Sequence, residues 1–225
     1  MMKKIALIGF LLVSIIDIIG IAFKIESLIF LFKPLILLSL LFLYSNSVVD
    51  RNKWYSTALV FSFFGDVFLI YSGDFTFKVG LISFLIVHIL FISVVIKRIQ
   101  KTSFLKALIA AIPFFIVLTG LIFLIKNALN ELLVPVVIYG ITISIFGMVS
   151  FLDYSTKKTK ESLWMLFGAI VFMISDSILA INKFYESSLF FEIIVMITYV
   201  SAQYLIYKSM VCEQVEEAEL KSFAN

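Results

Sequence analysis

Apolar runs of about twenty residues recur along the whole chain, broken only by short polar stretches. Eight such runs fall at roughly 5–23, 28–45, 55–72, 76–96, 104–125, 132–152, 163–181 and 188–210. Each is long enough to cross a hydrocarbon core of about 30 Å as an α-helix. The pattern predicts an all-α polytopic membrane protein of eight transmembrane helices. Its connections are too short for a separate soluble domain. Residues 1–212 therefore read as one integral membrane domain, followed by a short acidic tail over 213–225. Pro34, Pro113 and Pro135 are expected in or near span starts, where a missing N–H matters least.

Composition agrees and narrows the class. The chain of 225 residues is 62% hydrophobic with a mean hydropathy of +1.13, which excludes a water-soluble globule of this size. The first run follows Lys3 and Lys4 and resembles a signal peptide. Asp17 interrupts it and seven more runs follow, so it is read as a retained span. The lone cysteine, Cys212, excludes an intrachain disulfide and a Cys-based metal cage.

The net charge of +3 reflects topology rather than a nucleic-acid partner. With the termini and even-numbered loops on one side, that side carries thirteen basic residues. The other side has only Lys24, Lys78, Lys126 and Lys183. The positive-inside rule then places both termini in the cytoplasm, as in a bacterial inner-membrane protein.

Against this apolar background two carboxyls stand out. Asp66 in Ser62-Phe-Phe-Gly-Asp-Val-Phe-Leu69 and Asp176 in Phe172-Met-Ile-Ser-Asp-Ser-Ile-Leu179 interrupt runs three and seven. Each follows a small residue, Gly65 or Ser175, and precedes a leucine by three positions. A carboxyl facing lipid there is costly, so both are expected to point inward. An even number of crossings separates the two runs, so both helices run outward from the cytoplasm. The match suggests two four-helix halves related as parallel repeats.

Counting along each helix from the outer turns places Asp17, Lys33, Asp66, Asp176 and Glu192 roughly 10–14 Å below them, as one charged layer. Each outlying member also has a plainer reading. Asp17 and Lys33 can neutralise each other as a buried ion pair, and Glu192 can sit at the lipid headgroups. His88 can be a packing residue one turn deeper. Tyr199 and Gln203 share a helix face with Glu192 and can serve as interhelical polar contacts.

Two carboxyls facing each other in a low-dielectric site would titrate as a coupled pair, one protonated and one charged. Such a pair supplies a general acid and a general base together, and the spacing does not say which is which. Lys33 would steer that balance or hold an anionic phosphate. Ser62, Ser175 and Tyr139 complete the supporting set. The chain has one histidine, no His-Glu-x-x-His and no Gly-x-Ser-x-Gly, so metal and serine-hydrolase chemistry lack their signatures.

Several strings resemble the YhhN-like lysoplasmalogenase family of eight-span membrane proteins. They are Phe61-Ser62-Phe-Phe-Gly65-Asp66-Val-Phe-Leu69, Phe77-Lys-Val-Gly80 through Phe84 to His88, and Lys33-Pro34-Leu35. Gly168-Ala169 through Ser175-Asp176 to Leu179-Ala180 and Tyr199-Val-Ser-Ala-Gln203-Tyr-Leu-Ile206 are the others. The resemblance implies hydrolysis of the vinyl-ether bond of a lysoplasmalogen to a fatty aldehyde and a glycerophospho head group. It implies Asp66 and Asp176 as the catalytic pair, with Lys33, His88, Tyr199 and Gln203 at matching positions.

The expected partners are a single-chain lipid substrate and membrane lipids, with no nucleic acid, no obligate protein partner, no metal and no cofactor. A proton-coupled transporter of a small molecule or lipid is the competing class, because buried Asp, His and Lys also mark transport paths. A lipid-binding protein whose aspartates only lock helices together is a third.

Overall fold

The apolar runs fold as α-helices, which satisfy every internal backbone N–H and C=O without water. A computed structural model describes residues 2–99 and 102–223, with side chains described as far as residue 214. The helices are α1 (Met2–Ala22), α2 (Glu26–Ser45), α3 (Lys53–Ile70), α4 (Asp74–Ile96), α5 (Phe104–Leu129), α6 (Leu133–Lys157), α7 (Lys160–Phe184) and α8 (Leu189–Phe223). A 3₁₀ turn over Asn130–Leu132 joins α5 to α6. The described residues contain no strand.

Local chemistry sets the boundaries. The Asn52 side chain accepts the Tyr55 N–H at the start of α3, and the Ser103 hydroxyl accepts the Lys106 N–H at the start of α5. Thr159 and Ser162 form a capping box that opens α7. Asn130, at φ 43°, breaks the apolar stretch 104–157, so α5 and α6 fold back on each other as a hairpin. Gly73, at φ 145°, opens α4 with a backbone conformation that side-chain-bearing residues rarely adopt.

Six helical stretches are long and apolar enough to cross a membrane: α1, α2, α4, the continuous 104–157 stretch, α7 and Leu189–Gln214 of α8. The 18-residue α3 falls outside this set. Its first turn carries Lys53, Trp54 and Tyr55, and Asp66 dilutes the rest.

Helices α1, α2, α3, α4, α6, α7 and α8 pack in that order as a closed ring, with α1 against α8. Helix α5 lies outside the ring against α6 and α7. Four-helix repeat symmetry is therefore incomplete, because α5 does not occupy in its half the place that α1 takes in the other. The outward faces are apolar, as on α5, where Phe104, Leu108, Ile112 and Phe123 are exposed. The interior holds polar groups: Asp17, Ser62, Asp66, His88, Asp153 and Gln203 are all buried. That inversion of a soluble protein's pattern suits a lipid surroundings, where apolar side chains need no shelter.

Two sequence expectations are corrected. Pro34 and Pro113 lie inside α2 and α5 rather than near their starts, while Pro135 is in the first turn of α6. A proline inside a membrane helix is tolerated where neighbouring helices re-satisfy the freed backbone groups. Asp17 and Lys33 do not form an ion pair: both Asp17 carboxylate oxygens are buried without a hydrogen-bond partner.

The end of the ring remote from the aspartates is tied by charge. Arg98, just past α4, donates from Nε and Nη2 to both Glu213 carboxylate oxygens at 2.7 Å, and from Nη1 to Ser209 Oγ at 2.9 Å. Ser209 in turn donates to the Glu161 carbonyl at 2.7 Å. Helix α8 continues through Glu213 to Phe223 without interruption at residue 212. Of the acidic segment expected from residue 213, the side chains beyond Gln214 lie outside the described residues.

Candidate active site

Asp66 sits in the fourth turn of α3 and Asp176 in the fifth turn of α7. Both line one cavity of about 310 Å³ near the C-terminal ends of α3 and α7 and the N-terminal ends of α4 and α8. Lys33 from the middle of α2 lines it too. Bringing like ends of α3 and α7 to one cavity requires the two helices to run in the same direction, as the sequence predicts.

The packing that shapes this cavity explains the small residue before each aspartate. A Cβ on Gly65 would stand 2.6 Å from the Phe84 ring, so glycine lets α4 bring Phe84 up to the cavity wall. Ser175 does a different job, donating to the Val195 carbonyl at 3.0 Å and fastening α7 to α8. Phe84, Phe172 and Tyr199 then meet edge to face at ring-centroid distances of 5.6–6.3 Å.

Each aspartate has its own tyrosine. Tyr199 on α8 donates its hydroxyl proton to Asp66 Oδ2 at 2.9 Å. Gln203, one turn further along α8, donates to the Tyr199 hydroxyl at 3.4 Å and to Ser62 Oγ at 3.3 Å. Tyr139 on α6 donates to Asp176 Oδ2. Neither aspartate hydrogen-bonds the other. Lys33 is near enough to Asp66 and Asp17 to act on both electrostatically.

Two apolar cavities adjoin the first. One is lined by Leu81, Val136, Ala180 and Phe184, and shares Leu69, Phe77, Phe84 and Leu179 with the polar cavity. The other runs between α5, α6 and α7 past Leu118, Leu121, Ile122 and Met173. Tyr139, Val136 and Ala180 border both apolar cavities, and Asp176 alone borders all three. Beside the α1–α2 and α3–α4 turns an open vestibule of about 630 Å³ shares Ile70, Tyr71 and Ser72 with the polar cavity.

Of the candidate set, Lys33, Asp66, Asp176, Ser175 and Tyr199 line the polar cavity, with Gln203 and Ser62 behind Tyr199 and Tyr139 behind Asp176. His88 borders none of the three cavities. Its Nδ1 is 2.8 Å from the Phe84 carbonyl, and its ring packs among Phe91, Tyr139, Phe146 and Phe172. Glu192, read either as part of the inward layer or as a residue at the lipid headgroups, is exposed near the start of α8 and borders none of them. The charged layer therefore narrows to Lys33, Asp66 and Asp176, with Asp17 buried behind.

Lys183, expected in the turn after the seventh span, joins the site instead. Helix α7 extends to Phe184, so Lys183 falls seven residues after Asp176 on the same face and lines the polar cavity. Among the described residues no group of three or more His, Cys, Asp or Glu is placed to hold a metal ion.

A family model, described as the YhhN family, matches residues 28–210 of the chain. No curated protein and no solved structure matches it.

Proposed function

The chain belongs to the YhhN family, and from that premise we propose that it is a membrane ether hydrolase of lysoplasmalogenase type, cleaving the vinyl ether of a single-chain lipid. The single observation that carries this reading is the meeting of one polar and two apolar cavities at Asp176. A single-chain lipid has the same division. Its head occupies the polar cavity, its chain follows the apolar ones, the first among α3, α4, α6 and α7 and the second between α5, α6 and α7, and the vinyl ether at their junction lies beside Asp176. In this reading the chain makes eight crossings, with both termini cytoplasmic and its two halves related as an incomplete repeat.

The chemistry follows from the positions. Asp176 in its protonated form donates a proton to the alkene carbon remote from oxygen. The double-bond electrons form the new C–H bond, and an oxocarbenium ion remains. Asp66, in the polar cavity, takes a proton from water as that water attacks the cationic carbon. The hemiacetal then collapses: its hydroxyl proton returns to the Asp176 carboxylate as the C–O bond to the glycerol breaks, and the glycerol oxygen takes the proton held by Asp66, so both carboxyls regain their starting states. The products are a fatty aldehyde and a glycerophospho head group, and no oxidant or reductant is consumed. Tyr139 and Tyr199 each hold one carboxyl in place, leaving its second oxygen for reaction.

The test uses purified protein in detergent, a panel of lysoplasmalogens and mass-spectrometric detection of aldehyde. Hydrolysis without any ion gradient supports the proposal. Gradient-driven flux in proteoliposomes with no aldehyde would replace it with transport.

A further inference from the structure

The polar cavity contains two cations that the hydrolytic chemistry does not use. Lys33 enters from α2 and Lys183 from the last turn of α7. Neither makes an ion pair or a side-chain hydrogen bond among the described residues. The Lys183 ammonium rests over the Phe77 ring at 4.4 Å from its centroid and 5.8 Å from that of Phe184. Such contacts hold an ammonium weakly when it is near water, so it is available to a stronger partner. The carboxyls of the cavity are partly satisfied already, Asp66 by Tyr199 and Asp176 by Tyr139.

We propose that Lys33 and Lys183 form an anion site that takes the phosphate of the lipid head group. This deepens the hydrolase reading and rests on it for the identity of the lipid. Two ammonium groups from different helices, lining one cavity with Ser72 and Gly73, suit a tetrahedral oxyanion with charge on several oxygens. Beyond that anion the cavity opens past Tyr71 and Ser72 into the wide vestibule. Substituents on the phosphate project into this open space, where contacts are few. The site therefore requires phosphate and discriminates little between the groups attached to it.

Binding is read with lipids that carry a saturated ether in place of the vinyl ether, so that turnover is not involved. Full-length protein in neutral detergent is titrated with a 1-alkyl lysophospholipid bearing phosphocholine, its phosphoethanolamine counterpart, a 1-alkylglycerol of equal chain length, and inorganic phosphate. The two phospholipids should bind within about threefold of each other and about tenfold or more tighter than the alkylglycerol, the scale of one charge-assisted hydrogen bond.

Lys33→Gln and Lys183→Gln should each reduce that preference, the double substitution should abolish it, and Lys33→Arg should retain it. Each variant is accepted only if it elutes as a single species. Equal affinity for phospholipid and alkylglycerol in the unsubstituted protein would overturn the site, as would a preference that survives the double substitution. Inorganic phosphate that competes as well as the phospholipid would assign the site to a free anion and overturn the head-group role. Phosphate preference without vinyl-ether hydrolysis overturns the hydrolase reading and leaves the anion site. Hydrolysis without phosphate preference does the reverse.

Discussion

Asp66 on α3 takes its hydrogen bond from Tyr199 on α8 and borders only the polar cavity. Asp176 on α7 takes its bond from Tyr139 on α6 and borders the polar cavity and both apolar ones. The two aspartate-tyrosine units look equivalent in composition and are not equivalent in place. Asp66 is backed by Gln203 and Ser62, whereas Asp176 opens onto the two apolar cavities. In the proposed mechanism that difference gives water activation to the first and carbon protonation to the second.

The largest expected effect comes from removing either carboxyl. Asp66→Asn and Asp176→Asn should each lower aldehyde release by about a hundredfold to ten-thousandfold, the range of general acid–base catalysis, while the protein stays monodisperse. Division of labour gives each variant its own signature. Slow carbon protonation produces a solvent deuterium isotope effect. Asp66→Asn makes hydration the slow step and should reduce that effect, whereas Asp176→Asn should preserve it. Isotope effects that change identically in both variants would dissolve the distinction between the two units.

The tyrosines come next. Tyr139→Phe and Tyr199→Phe each remove one hydrogen bond to an aspartate carboxyl, worth about 1.5–3 kcal/mol when the acceptor is charged, or roughly ten- to a hundredfold in rate. Their stabilities should differ. Tyr199→Phe also strips Gln203 of one of its two acceptors in the ring interior, so its melting temperature should fall further than that of Tyr139→Phe. Thermal unfolding in detergent reads this directly, and equal shifts would count against an extended network on the Asp66 side.

A smaller and more selective effect is expected at Ala180, which borders both apolar cavities. Ala180→Phe fills the path past Asp176 at a packing cost of about 1–3 kcal/mol for an occupant of full length. KM for long-chain substrates should rise about tenfold or more, while short-chain substrates keep theirs. A uniform rise across chain lengths would place the alkyl chain elsewhere.

How much of this was legible in the chain differs between its regions. The eight apolar runs became eight α-helices with ends shifted by a few residues, except that α8 continues past its apolar run to Phe223, because long apolar periodicity leaves helix as the membrane solution. Asp66 and Asp176 were visible for the same reason: a carboxyl in such a run has to face inward. Closure of the ring with α5 outside was not legible, since apolar helices read alike whether they face lipid or each other. That Glu192 is exposed and that Asp17 and Lys33 do not pair was not legible, because depth along a helix says nothing about the direction a side chain takes around it. Lys183 was missed by ending span seven at residue 181, although its sevenfold spacing from Asp176 was the signal available.

The smallest effect should come from His88, which a charge-based reading of the sequence would rank beside the aspartates. It is fully buried, borders none of the three cavities, and one ring nitrogen is bonded to the Phe84 carbonyl one turn back. The other, Nε2, is buried without a partner among aromatic rings. His88→Phe gives up one hydrogen bond and removes one unpaired polar atom at similar volume, two changes of about 1 kcal/mol and opposite sign. Turnover should stay within about threefold, and the melting temperature should move little. The Tyr139 ring lies 5.4 Å from that of His88, so an effect passing through Tyr139 would appear only for the Asp176 unit. A hundredfold loss of turnover with an unchanged melting temperature would mean that His88 exchanges protons with Asp176, making the Asp176 unit a triad and the two units chemically different in kind.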